Sequence, residues 1–138
     1  MEETFGRYKL LEPLGQGGMA EVFKAKSFGV EGFEKILVIK RILPQLASNQ
    51  VFVDMFVHEA KLAVRLSHAN IVQVFDLGRV VNDRDVPSYY IAMEYVAGLD
   101  IASLLKRLRR RSEILPVDLC LFVAAEVAKG LDHAHRRR

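Results

Sequence analysis

A single cysteine, Cys120, stands in 138 residues, so no intramolecular disulfide can form, and the chain suits a reducing cytoplasm. No apolar run approaches the length of a bilayer span, so the polypeptide is not expected to cross a membrane. The acidic opening Met1-Glu2-Glu3-Thr4-Phe5 lacks the apolar stretch of a signal peptide. There is no internal repeat and no linker rich in proline, glycine or serine. What is present is globular: 51% hydrophobic and 27% charged residues with mean hydropathy +0.12, which excludes a disordered or low-complexity chain. At this length about two-thirds of the unfolded surface can be buried, so the core needs neither disulfide nor metal.

The net charge of +3 conceals an asymmetry. Residues 1–100 carry 11 Lys/Arg against 13 Asp/Glu, whereas residues 101–138 carry 9 against 4. The excess sits in Lys106-Arg107-Leu108-Arg109-Arg110-Arg111 and Arg136-Arg137-Arg138. Such clusters can bind phosphate backbones or anionic lipid, but the plain reading is a solvated helix end and a chain terminus. No aromatics interleave with the arginines, which counts against a surface for single-stranded nucleic acid.

The first half reads as strands. Tyr8-Lys9-Leu10-Leu11-Glu12 leads into the turn Gly15-Gln16-Gly17-Gly18, residues 20–26 form a hairpin partner, and the breaker Ser27-Phe28-Gly29-Val30-Glu31-Gly32 precedes the β-branched run Ile36-Leu37-Val38-Ile39. Over residues 49–67 the period becomes helical, with Phe52, Phe56, Glu59, Ala63 and Leu66 on one face. Two further strands are expected at 71–77 and 89–96, joined through Asn82-Asp83-Arg84-Asp85. After the breaker Ala97-Gly98 comes a short helix with Ile101, Leu104, Leu105 and Leu108 on one side. A last helix follows, with Pro116 in its first turn and Leu119, Phe122, Val123, Val127 and Leu131 on its apolar face.

Three features carry chemistry. Glycines at 15, 17 and 18 let backbone amides approach a phosphate without a Cβ in the way. No Gly-Lys-Ser/Thr follows, so this is not a P-loop, and the breaker at Ser27 leaves little room for the helix of a dinucleotide fold. What remains is a strand–turn–strand flap. Lys40 ends an apolar strand, and Glu59 lies on the inward face of the helix, where a carboxylate is costly unless paired. A Lys40–Glu59 pair would make a clamp for nucleotide phosphates, and breaking it would cost about 3–5 kcal/mol if buried and less if solvent reaches it.

With these residues in this order, the chain resembles the N-terminal lobe of a protein kinase, most like bacterial serine/threonine kinases of eukaryotic type. The resemblance rests on five motifs in order: Leu14-Gly15-Gln16-Gly17-Gly18-Met19-Ala20-Glu21-Val22, Leu37-Val38-Ile39-Lys40, Glu59-Ala60, Leu66-Ser67-His68-Ala69-Asn70-Ile71-Val72 and Ile91-Ala92-Met93-Glu94-Tyr95-Val96-Ala97-Gly98. It implies ATP as cofactor, with Mg2+ expected for the full domain but no metal ligand in this chain. Leu14 and the backbone amides from Gly15 through Gln16, Gly17, Gly18 and Met19 to Ala20 would cover the phosphates, and Val22 would pack on adenine. Lys40 would contact the phosphates, held by Glu59. Met93 is similar to the gatekeeper, Glu94 and Val96 would bond the adenine edge, and Asp100 would approach the ribose. Ala20 replaces the third glycine of the family pattern, and Val38 stands where an alanine is usual, adding bulk to the pocket roof.

The expected fold is therefore α+β: a five-stranded antiparallel sheet with one packed helix over residues 8–96, then the first helices of a second lobe over residues 97–138. The family's catalytic loop, His-Arg-Asp, and its metal motif, Asp-Phe-Gly, lie beyond the last helix and have no counterpart in these residues. Phe75-Asp76-Leu77-Gly78 imitates the latter, but it precedes the hinge and is assigned to a turn. His133-Ala134-His135 places its histidines on different sides of a helix and is read as ordinary helix end. The reading is the ATP-binding part of a serine/threonine kinase, a fragment or a truncated product, inactive by itself. Its rivals are a non-catalytic regulatory lobe binding nucleotide or a partner, and an anion binder using the arginines. Protein substrates belong to a full-length form, and the apolar face of the last helix is expected to drive self-association.

Overall fold

The computed structural model describes residues 3–82 and 84–137. Asp83, part of the expected 82–85 turn, lies outside them, as does Arg138 of the terminal arginine run. The chain divides into two compact units, one up to Ser67 and again from Val72 to Tyr95, the other comprising His68–Ile71 and the chain from Val96 onward.

The first unit is an antiparallel sheet of six strands: β1 (Glu3–Phe5), β2 (Tyr8–Gln16), β3 (Ala20–Phe28), β4 (Glu34–Ile42), β5 (Val74–Val81) and β6 (Pro87–Met93), in the order β1-β2-β3-β4-β6-β5. The expectation of five strands is corrected by β1, three residues turned back onto β2 through Gly6 at φ +58°. A strand of three residues has no periodicity to detect. The 27–32 breaker also begins late, since Ser27 and Phe28 still pair with β4.

The largest correction falls on the fifth strand. It runs from Val74 to Val81 rather than over 71–77, so Asp76 and Gly78 lie inside a strand and not in a turn. Gly78 faces Tyr90 on β6, and the Tyr90 ring lies across it where a Cβ would be. That ring also meets Phe5 and Tyr8 edge-on, with centroids 5.4 Å away in each case. Strands β1 and β2 thus touch β6, three or more places away in the sheet order, and the sheet is curled around this aromatic cluster. Arg7 completes the curl through an ion pair of 3.1 Å with Asp76. Burial, and then the neighbouring Tyr8 phenol, push the Tyr90 hydroxyl up to about 12, so it stays protonated.

The opposite sheet face packs on helix α1 (Gln50–Ala63), started by the Asn49 side chain, which accepts from the Val51 amide at 3.1 Å. The helix is shorter than the 49–67 periodicity. Its buried ridge is Val53, Phe56 and Ala60, which meet Ala20, Ile42, Val74 and Ile91, while Glu59 lies beside that ridge rather than in it.

The second unit holds α2 (Ile101–Arg110) and α3 (Val117–Arg136), with Pro116 one residue ahead of the helix rather than inside it. Segment 68–71 lies against α3 at Gly130, where a Cβ would stand 3.4 Å from the Asn70 carbonyl oxygen. The Asn70 amide donates to the Glu126 carbonyl at 2.9 Å and to its carboxylate at 2.6 Å. His68 and His133 stack at 5.0 Å between centroids.

Candidate nucleotide site

The glycine-rich hairpin is built by β2 and β3, with Gly15 opposite Val22 and Gln16 opposite Glu21. The Gly17 amide donates to the Ala20 carbonyl at 2.8 Å and closes the loop, and the Leu43 amide donates to the Met19 carbonyl at 2.8 Å, tying the loop to the end of β4. Neither conformation nor packing obliges glycine here. None of Gly15, Gly17 and Gly18 has a positive φ, and a Cβ added at Gly15 or Gly18 would meet nothing within 4 Å. The three glycines therefore keep open a space that this chain does not itself fill, as an amide cradle for an anion requires.

Beneath that hairpin the sheet presents one face. Val22 pairs with Lys40, Lys40 with Ile91, and Val38 with Met93, so alternation puts these side chains on the same side. Val38 is buried, as a residue forming the roof of a pocket would be. The Lys40 Nζ donates to Glu59 Oε1 on α1 at 3.1 Å. Of the two settings open to the pair, it takes the solvent-reached one: the side chains are 29% and 60% exposed, so this is a rim pair worth about 0–1 kcal/mol to the fold rather than a buried one. Its use is to aim a cation. A cavity of about 520 Å³ is lined by Gly17, Gly18, Met19, Ala20, Val22, Lys40, Phe56 and Glu59, bringing the hairpin, the cation and its carboxylate to one place.

The remaining candidates are placed as follows. Leu14 is half-exposed on β2. Met93 packs at the margin of the α1 core. The Glu94 amide donates to the Gln73 carbonyl, and its carboxylate accepts from the Gln73 amide, both at 2.9 Å, which fixes the chain just after β6. Val96 and Asp100 belong to the second unit. Asp100 caps α2, accepting from the Ser103 amide at 2.6 Å, and the Ser103 donors hold its carboxyl below the usual carboxylate range.

Sequence reasoning overlooked Phe56 as a wall of the cavity, and Glu21 and Arg41, which flank Val22 and Lys40. The signal for the last two was available. Antiparallel pairing of Val22 with Lys40 puts Glu21 opposite Arg41, opposite charges at directly facing positions.

The chain matches the family model of the protein kinase domain over residues 8–138. It is 44% identical over 133 residues to the tyrosine-protein kinase MasK of Myxococcus xanthus, covering 96% of this chain and 20% of that protein. To the serine/threonine-protein kinase PksC of Streptomyces coelicolor it is 37% identical over 131 residues, covering 94% of this chain and 23% of the relative. Among solved structures, the kinase domain of Mycobacterium tuberculosis PknI superposes with TM-score 0.72 at 32% identity, covering 98% of this chain and 50% of that one. The chain belongs to the protein kinase family. It spans about a fifth of the length of these relatives and half of the solved kinase domain.

Proposed function

We propose that this chain is the ATP-binding portion of a protein kinase that transfers the γ-phosphate to serine or threonine hydroxyls. The observation that carries this reading is the Lys40–Glu59 contact of 3.1 Å at the edge of a cavity covered by the glycine hairpin. ATP, when bound, supplies the phosphoryl group, with Mg2+ as its counter-ion. The residues of this chain bind and orient. Amides of Gly15 to Ala20 face the phosphates, Val22 and Val38 pack on the base, and Lys40, held by Glu59, sets a fixed positive charge beside the phosphate oxygens. Met93 and Glu94 select the adenine.

The acceptor follows the relatives named serine/threonine kinases, among them PksC and PknI. A tyrosine acceptor is the second reading, because the relative at 44% identity is named a tyrosine kinase. Phosphoamino-acid analysis of a polypeptide that also carries the catalytic loop separates the two. The working compartment in this reading is the cytoplasm; no described helix is long and apolar enough to cross a membrane. In the isolated chain, the exposed Leu119, Phe122, Val127 and Leu131 of α3 offer a surface for self-association.

The 138 residues contain neither His-Arg-Asp nor Asp-Phe-Gly, so no carboxylate accepts the substrate proton and none holds the metal. With labelled ATP, Mg2+ and a serine-rich acceptor protein, the chain is expected to retain ATP on a filter and to transfer no phosphate. Transfer at an ordinary kinase rate, or failure to retain ATP, contradicts the reading.

A further inference from the structure

Arg41 follows Lys40 on β4 and therefore points to the other face of the sheet, away from the cavity. Its side chain is only 16% exposed. Its Nε donates to Glu21 Oε1 at 2.6 Å and its Nη1 to Glu3 Oε1 at 3.2 Å. The guanidinium also lies over the rings of Phe23 and Phe5, 4.8 and 5.3 Å from their centroids. One side chain thus joins β1, β3 and β4. Its planar fork and its aromatic stacking are properties that lysine does not share.

The position of Glu21 gives this network a consequence. Glu21 is paired with Arg41 on one side and with Gln16 on the other, which makes it the first rung behind the glycine loop. Ala20, at the end of the loop, is buried against the α1 core, but the glycines give the loop no side-chain packing, and Gly15 and Gly18 have open space where Cβ atoms would stand. Its direction is set from behind, by the Met19–Leu43 backbone bond and by the Glu21–Arg41 pair. At 16% and 19% exposure this pair is better shielded than Lys40–Glu59, and a charge-assisted bond of 2.6 Å there tolerates little movement.

We propose that Arg41 is a positioning residue for phosphate binding: by holding Glu21 against β4 it aims the glycine hairpin at the phosphates that Lys40 neutralises. The inference rests on the nucleotide reading above. Glu3 braces the guanidinium from β1, so the first strand supports nucleotide binding without touching nucleotide.

The test compares ATP with adenosine, which lacks the phosphates the hairpin covers. Dissociation constants of both are measured by calorimetry for the wild-type chain, Arg41→Lys and Glu21→Gln, with the ligand-free melting temperature of each. Wild type is expected to prefer ATP. Both variants should bind ATP about 10-fold more weakly while adenosine changes by no more than about twofold. Glu21→Gln keeps the shape of the side chain and carries the test should Arg41→Lys fold poorly. A merely structural role would weaken both ligands together, in step with the melting temperature. An unchanged ATP-to-adenosine ratio, or parallel loss of both ligands, overturns the inference while the nucleotide reading stands. A wild-type chain indifferent to the phosphates overturns the nucleotide reading and this inference with it.

Discussion

Gly78→Ala is expected to destabilise the sheet by about 3 kcal/mol, the upper end for an added methyl group in a packed core. Gly78 sits in the middle of β5 with the Tyr90 ring across it, and an added Cβ would come within 2.6 Å of the ring carbon Cε1. The ring is hemmed in, because Phe5 and Tyr8 meet it at 5.4 Å each and Tyr90 is only 7% exposed. For a chain of this size the loss corresponds to a fall in melting temperature of roughly 10 °C. The cause is specific, so it can be separated from a loss of strand propensity: combining Gly78→Ala with Tyr90→Leu should cost less than the sum of the two. A Gly78→Ala chain that melts like the parent would show that the ring does not lie where it is placed.

Removing the Lys40 ammonium should have the converse profile, with a large effect on ligand and a small one on fold. A charge-assisted contact to phosphate is worth about 1.5–3 kcal/mol, so Lys40→Ala should weaken ATP binding by about 10- to 100-fold. The unliganded protein should lose no more than about 1 kcal/mol, because the Lys40–Glu59 pair is largely open to solvent at 29% and 60% exposure. Had the pair been buried, both effects would be large and the variant would say nothing specific about nucleotide. Denaturant unfolding alongside ATP titration reads the two separately. Equal losses in both would place Lys40 in the scaffold rather than in the site.

Much of the site was legible because its signals are local. The glycine cluster, the β-branched run ending in Lys40, and the helical period carrying Glu59 each occupy a single element, and pairing a carboxylate with the nearest available cation joins two of them. The misreadings arose where long-range contacts override local chemistry. Gly78 reads as a turn residue because glycine is poor in strands, yet here the ring of a cross-strand tyrosine takes the place of its missing side chain. Asp76 likewise reads as a turn residue, but its partner is Arg7, 69 positions away in sequence. Strand β1 is visible only through what it touches, Phe5 against Tyr90 and Glu3 against Arg41. The Lys40–Glu59 pair was anticipated while its exposure stayed open, because a helical period locates a face but not the boundary of burial. There the covered ridge is Val53, Phe56 and Ala60, with Glu59 just outside it.

The most direct test is to add ATP to the isotopically labelled chain and record which backbone amides shift. Saturable shifts are expected at Gly15 to Val22 and at Lys40, with about 10- to 100-fold more ATP needed to saturate the hairpin shifts in Lys40→Ala. Shifts confined to the arginine-rich end of α2, at residues 106–111, would contradict this and make the chain an anion binder without a nucleotide site.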